Sequence, residues 1–435
     1  MRQEWHVDRH AHKTLASALG WLAQNDVDFC LLDSAPPHPW SHGSMPPDYF
    51  HMDWCLGIGI KQAVSIPDSD SWHTKIEKAL EQSRLPLMGY WSYDLVKRTL
   101  PVSLPKHYDA ALPELGYFFE PMWLLYAQGQ TIRVLGACPE SFRKAIFEDN
   151  GFPKQEHNLG LFLEPDVEKA IYMQHVDQLK EEIRAGNVYE INYCIPFRAR
   201  GKIDDPFSLY RKLRQIAPNP FGAFLKRKKE YMLSASMERY LRTDEARVIS
   251  QPIKGTAKRA PHPGDDARIA RALAEDPKER AENIMIVDLV RNDLSKVCET
   301  GSIRVPELCK VYAFSQVHQM ISTVEGRLHP EGRLLDLIAA SFPMGSMTGA
   351  PKERATQLID AHESFRRGLY SGALGFMTPR TVDFNVVIRS LLYDAEREDI
   401  VVPVGSAITI DSDPEREYEE CWNKIGFWRR LLQGA

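Results

Sequence analysis

Residues 167–186, "VEKAIYMQHVDQLKEEIRAG", place apolar side chains at Ile171, Val176, Leu179 and Ile183. That spacing follows helical periodicity, and Gly186 supplies a stop. The next segment, "VYEINYCIPF", alternates in the manner of a strand. Similar patterns predict strands in "GAFLKR", "EYMLSAS" and "YLRTDEARVISQPI", and helices in "ARIARALAED" and "PKERAENIMIVDLVRNDL". Nearer the N-terminus a short helix, "KTLASALGWLAQN", accompanies strand-like runs "DFCLLDS" and "ELGYFFEPMWLLYA", separated by Pro-rich turns such as "SAPPHPW". Hairpin-length connections beside long helices predict an α+β protein with large antiparallel sheets rather than a wound parallel sheet.

The polar, Gly/Pro-punctuated stretch at 149–166 predicts a boundary between an N-terminal region, 1–160, and a larger unit, 161–435. With 435 residues the chain has room for two or three domains or one extensive two-layered core.

Composition narrows the class. A hydrophobic fraction of 43% and a charged fraction of 26% describe an ordinary globular protein. The net charge of -5 argues against nucleic acid as the main partner, so an anionic substrate requires a local cluster of cations or a metal. Seven scattered cysteines without a C-x-x-C pair indicate neither a disulfide framework nor a zinc site, and fit a reducing cytosol. The N-terminus is charged and no apolar run approaches the roughly 18 residues of a membrane span. A soluble cytoplasmic protein with no membrane partner is expected.

Three constellations carry potential chemistry. Glu279 and Glu282 lie three apart in one predicted helix, and Glu417 and Glu420 three apart in another, so each pair shares a helix face. Four such glutamates suit an open Mg²⁺ site, although E-x-x-E taken alone also describes a solvated acidic face. Lys424, four residues after Glu420, can balance part of the charge. In "SFPMGSMTGAPKERATQLID", Gly345 and Gly349 precede Pro351 at a predicted helix start, where free backbone N–H groups suit a carboxylate or a phosphate, or simply form a turn. Finally, His318, Tyr370, Arg389 and Gly405 occupy strand-like surroundings. A guanidinium in the apolar run "FNVVIRSLLY" is suited to bidentate carboxylate binding.

Together "AENIMIVDLVRNDL", "GSMTGAPK", "YSGALGF" and "EREYEECWNK" resemble the chorismate-utilising enzymes, which include the large subunits of anthranilate and aminodeoxychorismate synthases and the isochorismate and salicylate synthases. The resemblance is dense from about residue 165 to 428 and present earlier in "CLLDS" and "LMGYWSYDL". It implies a two-layered sandwich of antiparallel sheets with flanking helices. It also implies Mg²⁺ held by Glu279, Glu282, Glu417 and Glu420, a second carboxylate site at Tyr370, Arg389 and Gly405, and Lys352 and Thr348 in the "GSMTGAPK" signature. Glu238 in "SASMERYL" takes the place of the acid that protonates the departing ring hydroxyl, and His318 that of an acid-base and orienting histidine.

The string "PIKGT" resembles component I of aminodeoxychorismate synthases, in which a lysine attacks ring carbon C2 as the C4 hydroxyl leaves, and ammonia then adds at C4 and expels the lysine; anthranilate and isochorismate synthases typically carry alanine at the position of Lys254. That chemistry needs an unprotonated amine, so desolvation or a neighbouring cation is expected to depress the Lys254 pKa. No glutaminase elbow occurs in the chain, so a glutamine amidotransferase partner supplying ammonia is implied, as is a possible tryptophan site at Leu31–Ser34. The alternatives are an anthranilate, isochorismate or salicylate synthase, or a chorismate-binding subunit without turnover. Departures from the family pattern are Met237 in "SMERY", Met344 in "FPMGS", Ser406 in "VGSA", and Glu190 in "YEIN" where "YQVN" is common.

Overall fold

The computed structural model describes residues 2–6, 11–34, 52–69, 71–108, 114–147 and 159–433. Every strand pairing in it is antiparallel, and the strands form two sheets that share Gly116–Gln128. The first sheet runs from Arg2–His6 through Thr131–Gly136, Gly116–Gln128, Trp54–Ile66, Phe29–Asp33, Phe221–Arg227, Glu230–Ser236, Ser390–Asp394 and Asp399–Ile408 to Glu190–Arg200. The second leaves Gly116–Gln128 through Leu87–Trp91, Ala373–Met377, Val382–Val386, Arg239–Asp244 and Arg247–Gln251 to Val317–Arg327. Ile253–Lys258 and Arg304–Ala313 flank that last strand.

Cys30, Leu32, Cys55, Met88, Phe119, Leu225, Met232 and Leu374, contributed by both sheets, fill the space between them. The outer faces need cover because strand side chains alternate. Helices Ala11–Gln24, Lys169–Arg184, Pro206–Ile216 and Gly426–Gln433 bury the first. Trp72–Gln82, Pro277–Ser295 and Leu334–Ser341 bury the second. The architecture is the expected α+β sandwich.

Local details differ from the sequence reading. In Lys169–Arg184 the buried face carries Tyr172, Val176 and Leu179, whereas Ile171 is exposed. The predicted strand "YLRTDEARVISQPI" is a hairpin, Arg239–Asp244 against Arg247–Gln251, turned at Glu245 with a left-handed φ of 53°. Residues 148–158, which hold most of the expected boundary, lie outside the described residues. Strands from before and after them pair directly, as Phe29–Asp33 with Phe221–Arg227 and Leu87–Trp91 with Ala373–Met377, so the core does not divide there. All seven cysteines are free thiols. Among the described residues no helix is long and apolar enough to cross a membrane.

Candidate active site

Lys254 owes its position to a break in sheet pairing. Pro252 separates Arg247–Gln251 from Ile253–Lys258, and both strands pair along the same side of Val317–Arg327. Ile253 lies opposite Ile321 but Thr256 opposite Gln319, so one extra residue is bulged between them. A bulge re-aims a side chain, and here Gly255 makes it with φ 98°. A Cβ at Gly255 would stand 3.1 Å from Met320 Cβ and 3.2 Å from Glu279 Oε2. The segment that reads as a turn is therefore a bulged strand. Its Lys254 carbonyl accepts a 3.1 Å hydrogen bond from Asn283 Nδ2, which ties the bulge to helix Pro277–Ser295.

That helix, helix Pro414–Lys424, the two sheets and the loop at 345–347 surround a cavity of about 1760 Å³. Lys254, Glu238, Tyr370, Arg389 and Gly405 line it. So do Glu279, Glu282, Glu417 and Glu420.

The lysine is not surrounded as expected. Its side chain is 11% exposed and its Nζ hydrogen-bonds the buried carboxylate of Glu190. Burial pulls its pKa down, but the charge and hydrogen bond of Glu190, with Glu282 and Glu238 beyond, outweigh burial and leave the pKa raised. The expected depression of the pKa is not met.

Glu238 is buried, and burial pushes its pKa up to about 7 despite the Ser346 hydroxyl, the charge of Lys254 and the Ile253 amide. Ser346 Oγ donates to Glu238 Oε1 at 2.6 Å. A carboxyl poised near neutrality can hold and release a proton at physiological pH.

The glutamate pairs lie within each other's field. Burial raises the Glu282 pKa to about 7, with Glu190 and Glu279 pushing the same way against Lys254. Burial likewise raises Glu279, which also feels Asp276 and Glu420. Burial pushes Glu420 upward, but Lys424 at 2.6 Å and the charges of Lys254 and Arg389 hold its pKa below normal. Among the described residues no three His, Cys, Asp or Glu side chains converge on one point. Mg²⁺ asks less of a protein, taking one or two carboxylates and filling its octahedron with water and substrate oxygens. Carboxylates crowded on one cavity wall, two of them with pKa values raised by burial and by neighbouring carboxylates, have the donor chemistry of such an ion.

Arg389 stands not within a strand but between Val382–Val386 and Ser390–Asp394, in a left-handed conformation with φ 53°. Its guanidinium makes no hydrogen bond or ion pair among the described residues. Burial lowers its pKa, opposed by Glu420 and Tyr370. An unpaired cation on a cavity wall is a binding group for an anion. Gly405 is needed on its far side, where a Cβ would lie 2.4 Å from Cys194 Sγ and 2.8 Å from Tyr193 O.

Three expected site residues do not line the cavity. Val317 and Gln319 face it, whereas His318 between them is buried just behind the wall, its Nε2 2.9 Å from Oδ1 of Asp266, which itself lines the cavity. Lys352 points away into the protein, with Nζ 2.5 Å from Asp293 Oδ2 and 2.9 Å from the Ser341 carbonyl. Thr348 is fully buried and donates to the Met344 carbonyl at 3.0 Å. The glycine-lined helix start is likewise closed, since Gly349 and Ala350 pair with Ile191 and Glu190. Ser346 and Met347 are the part of that loop facing the cavity. Of the departures from the family pattern, Met344 packs in the second core, while Ser406 lines the cavity with its hydroxyl 3.1 Å from Tyr172 OH. In the "CLLDS" stretch Asp33 is bound to Arg214 and, at 3.1 Å, to Tyr210 OH.

The sequence profile of the chorismate binding enzymes matches residues 58–430. The chain belongs to this family. As a chorismate binding enzyme it is 39% identical over 316 residues to the aminodeoxychorismate synthase of Streptomyces griseus, covering 72% of this chain and 42% of that one. It is 33% identical over 341 residues to aminodeoxychorismate synthase component 1 of Escherichia coli, covering 78% and 75%. It is also 33% identical over 361 residues to anthranilate synthase component 1 of Thermus thermophilus, covering 80% and 77%. The fold matches the menaquinone-specific isochorismate synthase of Escherichia coli with a TM-score of 0.75 at 17% identity, covering 100% of this chain and 94% of that one. The chain thus spans less than half of the Streptomyces relative and three quarters of the Escherichia one.

Within this chorismate binding enzyme, Ser346 and Asn283 are residues that sequence reading missed. Their signal was their placement inside "GSMTGAPK" and "AENIMIVDLV", beside residues singled out for other reasons.

Proposed function

We propose that the chain converts chorismate and ammonia to 4-amino-4-deoxychorismate, with Lys254 as the nucleophile. The observation that carries this reading is the bulge at Lys254 and Gly255, which directs an amine into the cavity beside a carboxyl of pKa about 7. Arg389 and Tyr370 receive one substrate carboxylate, the guanidinium by charge-assisted hydrogen bonds. The amine of Lys254 attacks C2, the ring double bond shifts, and the C4–O bond breaks. Glu238 donates its proton to the departing oxygen, so that water leaves instead of hydroxide. Ammonia then adds at C4 and the lysine departs from C2. Splitting one allylic substitution into two additions lowers each barrier.

Mg²⁺ held by Glu279, Glu282, Glu417 and Glu420 would neutralise the other carboxylate and withdraw electron density from the ring. Ammonia comes from a separate glutamine amidotransferase, in keeping with the "component 1" name of the Escherichia relative.

The test is incubation of the protein with chorismate, Mg²⁺ and an ammonium salt at alkaline pH, with products resolved by chromatography. 4-Amino-4-deoxychorismate is expected; anthranilate, isochorismate or salicylate in its place, or no product, overturns the proposal.

A further inference from the structure

Glu190 has no part in the scheme so far. It begins strand Glu190–Arg200, is 1% exposed and lies opposite Ala350 in the sheet. It does not line the cavity, whereas Lys254, to which its Oε1 is hydrogen-bonded, does. Glu190 is thus the residue behind the nucleophile. Its other oxygen, Oε2, is buried and has no hydrogen-bond partner among the described residues. Glu238, after strand Glu230–Ser236, and Glu282 and Glu279, on helix Pro277–Ser295, face the same region, as does Glu420 on helix Pro414–Lys424. Of these carboxylates only Glu190 hydrogen-bonds the lysine.

A buried lysine hydrogen-bonded to the Glu190 carboxylate, with Glu282 beyond, is charged at rest, and a charged amine has no lone pair to give. A proton must leave Nζ before C2 is attacked, and the acceptor must already be in contact. We propose that Glu190 is the catalytic base that takes the proton from Lys254. The assignment rests on the reading of Lys254 as nucleophile.

In the first step the Nζ–H bond breaks, an O–H bond forms on the Glu190 carboxylate, and a neutral amine and a neutral acid remain. The freed lone pair forms the N–C2 bond as the double bond shifts and the C4–O bond breaks, with the Glu238 proton leaving in water. When ammonia adds at C4, the N–C2 electron pair returns to Lys254 and the excess proton of the new ammonium passes to Glu238. Glu190 then returns its proton to Lys254, so that both carboxyls and the lysine regain their starting states. Its place behind the lysine fits this role, because the carboxylate touches the amine without lining the substrate's cavity. The glutamine of the common "YQVN" string could hydrogen-bond the lysine but not accept its proton.

The test is Glu190→Gln, which keeps size and a hydrogen bond to Lys254. Protein mixed with chorismate and Mg²⁺ without ammonia is quenched at intervals, and the mass added to the Lys254 peptide is followed from pH 6.5 to 9.5. The unaltered protein is expected to form the adduct at a rate that falls above neutrality, as Glu238 loses the proton it must donate. Glu190→Gln is expected to bind chorismate within a few-fold of normal, form the adduct at least tenfold more slowly at pH 7.5, and gain steadily on the unaltered protein with rising pH, the ratio of the two rates isolating the lysine's proton from that of Glu238. An equal or faster adduct in Glu190→Gln would overturn the assignment, because a carboxylate that merely keeps the lysine charged would retard the reaction. A misfolded variant is distinguished by loss of chorismate binding, and Glu190→Asp then decides: an adduct rate between those of the unaltered protein and a Lys254→Ala blank supports the base, and an unchanged rate overturns it. If the unaltered protein forms neither adduct nor product, the reading of Lys254 itself fails, and the assignment with it.

Discussion

Ser346 Oγ donates to Glu238 Oε1 at 2.6 Å, so the loop between helix Leu334–Ser341 and helix Lys352–His362 sets the acidity of a carboxyl on a different part of the sandwich. The hydroxyl holds the Glu238 pKa below where burial alone would leave it. Replacing Ser346 with alanine removes that pull and raises the pKa above about 7. Glu238 acts protonated, so activity falls as pH rises through its pKa; in Ser346→Ala this fall moves to higher pH. A pH–rate profile of kcat checks the direction.

Arg389 faces the cavity without a partner among the described residues, so its energy is available to the substrate. Arg389→Ala is expected to raise KM for chorismate by roughly 10- to 100-fold, the value of a charge-assisted hydrogen bond of about 1.5–3 kcal/mol. Arg389→Lys recovers only part, because an ammonium lacks the planar fork. Steady-state kinetics on both variants provide the comparison.

Gly255 permits the left-handed turn of the bulge. Gly255→Ala is expected to cost about 1–3 kcal/mol of stability, through backbone strain and the approach to Met320. Because Lys254 is its neighbour, kcat should drop by more than the loss of folded protein explains. Denaturant melts and kinetics on the same preparation separate the two effects.

Glu238 and Glu282 each have a pKa of about 7 here, against about 4.3 in an unfolded chain. Between those values the folded state binds more protons than the unfolded one, so stability falls as pH rises from about 4.5 to 7. The loss is on the order of 3–4 kcal/mol for each of the two carboxyls in the metal-free protein. Mg²⁺ should raise Tm at pH 7.5 and have little effect at pH 5, where the carboxyls hold protons. Glu282→Gln should stabilise the metal-free protein at pH 7.5 and blunt its response to Mg²⁺. Thermal melts with Mg²⁺ or EDTA at the two pH values read this out.

Much of the cavity wall was legible because its residues sit in local strings. "PIKGT", the two E-x-x-E helices and "YSGALGF" each carry their chemistry within a few positions. What could not be read depends on contacts across long stretches of chain. Lys352 beside a glycine loop looks like an anion ligand until Asp293, 59 residues away, takes its charge. His318 looks like a site residue until strand pairing buries it just behind the wall to which Val317 and Gln319 contribute. Glu190 and Lys254 are 64 residues apart, and their contact requires two sheets to meet at one end of the sandwich. The bulge at Gly255 likewise exists only relative to Val317–Arg327.

The central claim is that Lys254 bonds covalently to the substrate. Its most direct test is peptide mapping of protein quenched with chorismate and Mg²⁺ in the absence of ammonia, alongside Lys254→Ala. The expected result is the mass of chorismate less one water on the peptide containing Lys254, with at least a thousandfold loss of aminodeoxychorismate formation in Lys254→Ala and chorismate binding retained. Amination that proceeds with no mass added to that peptide, and at a similar rate in Lys254→Ala, would contradict the account.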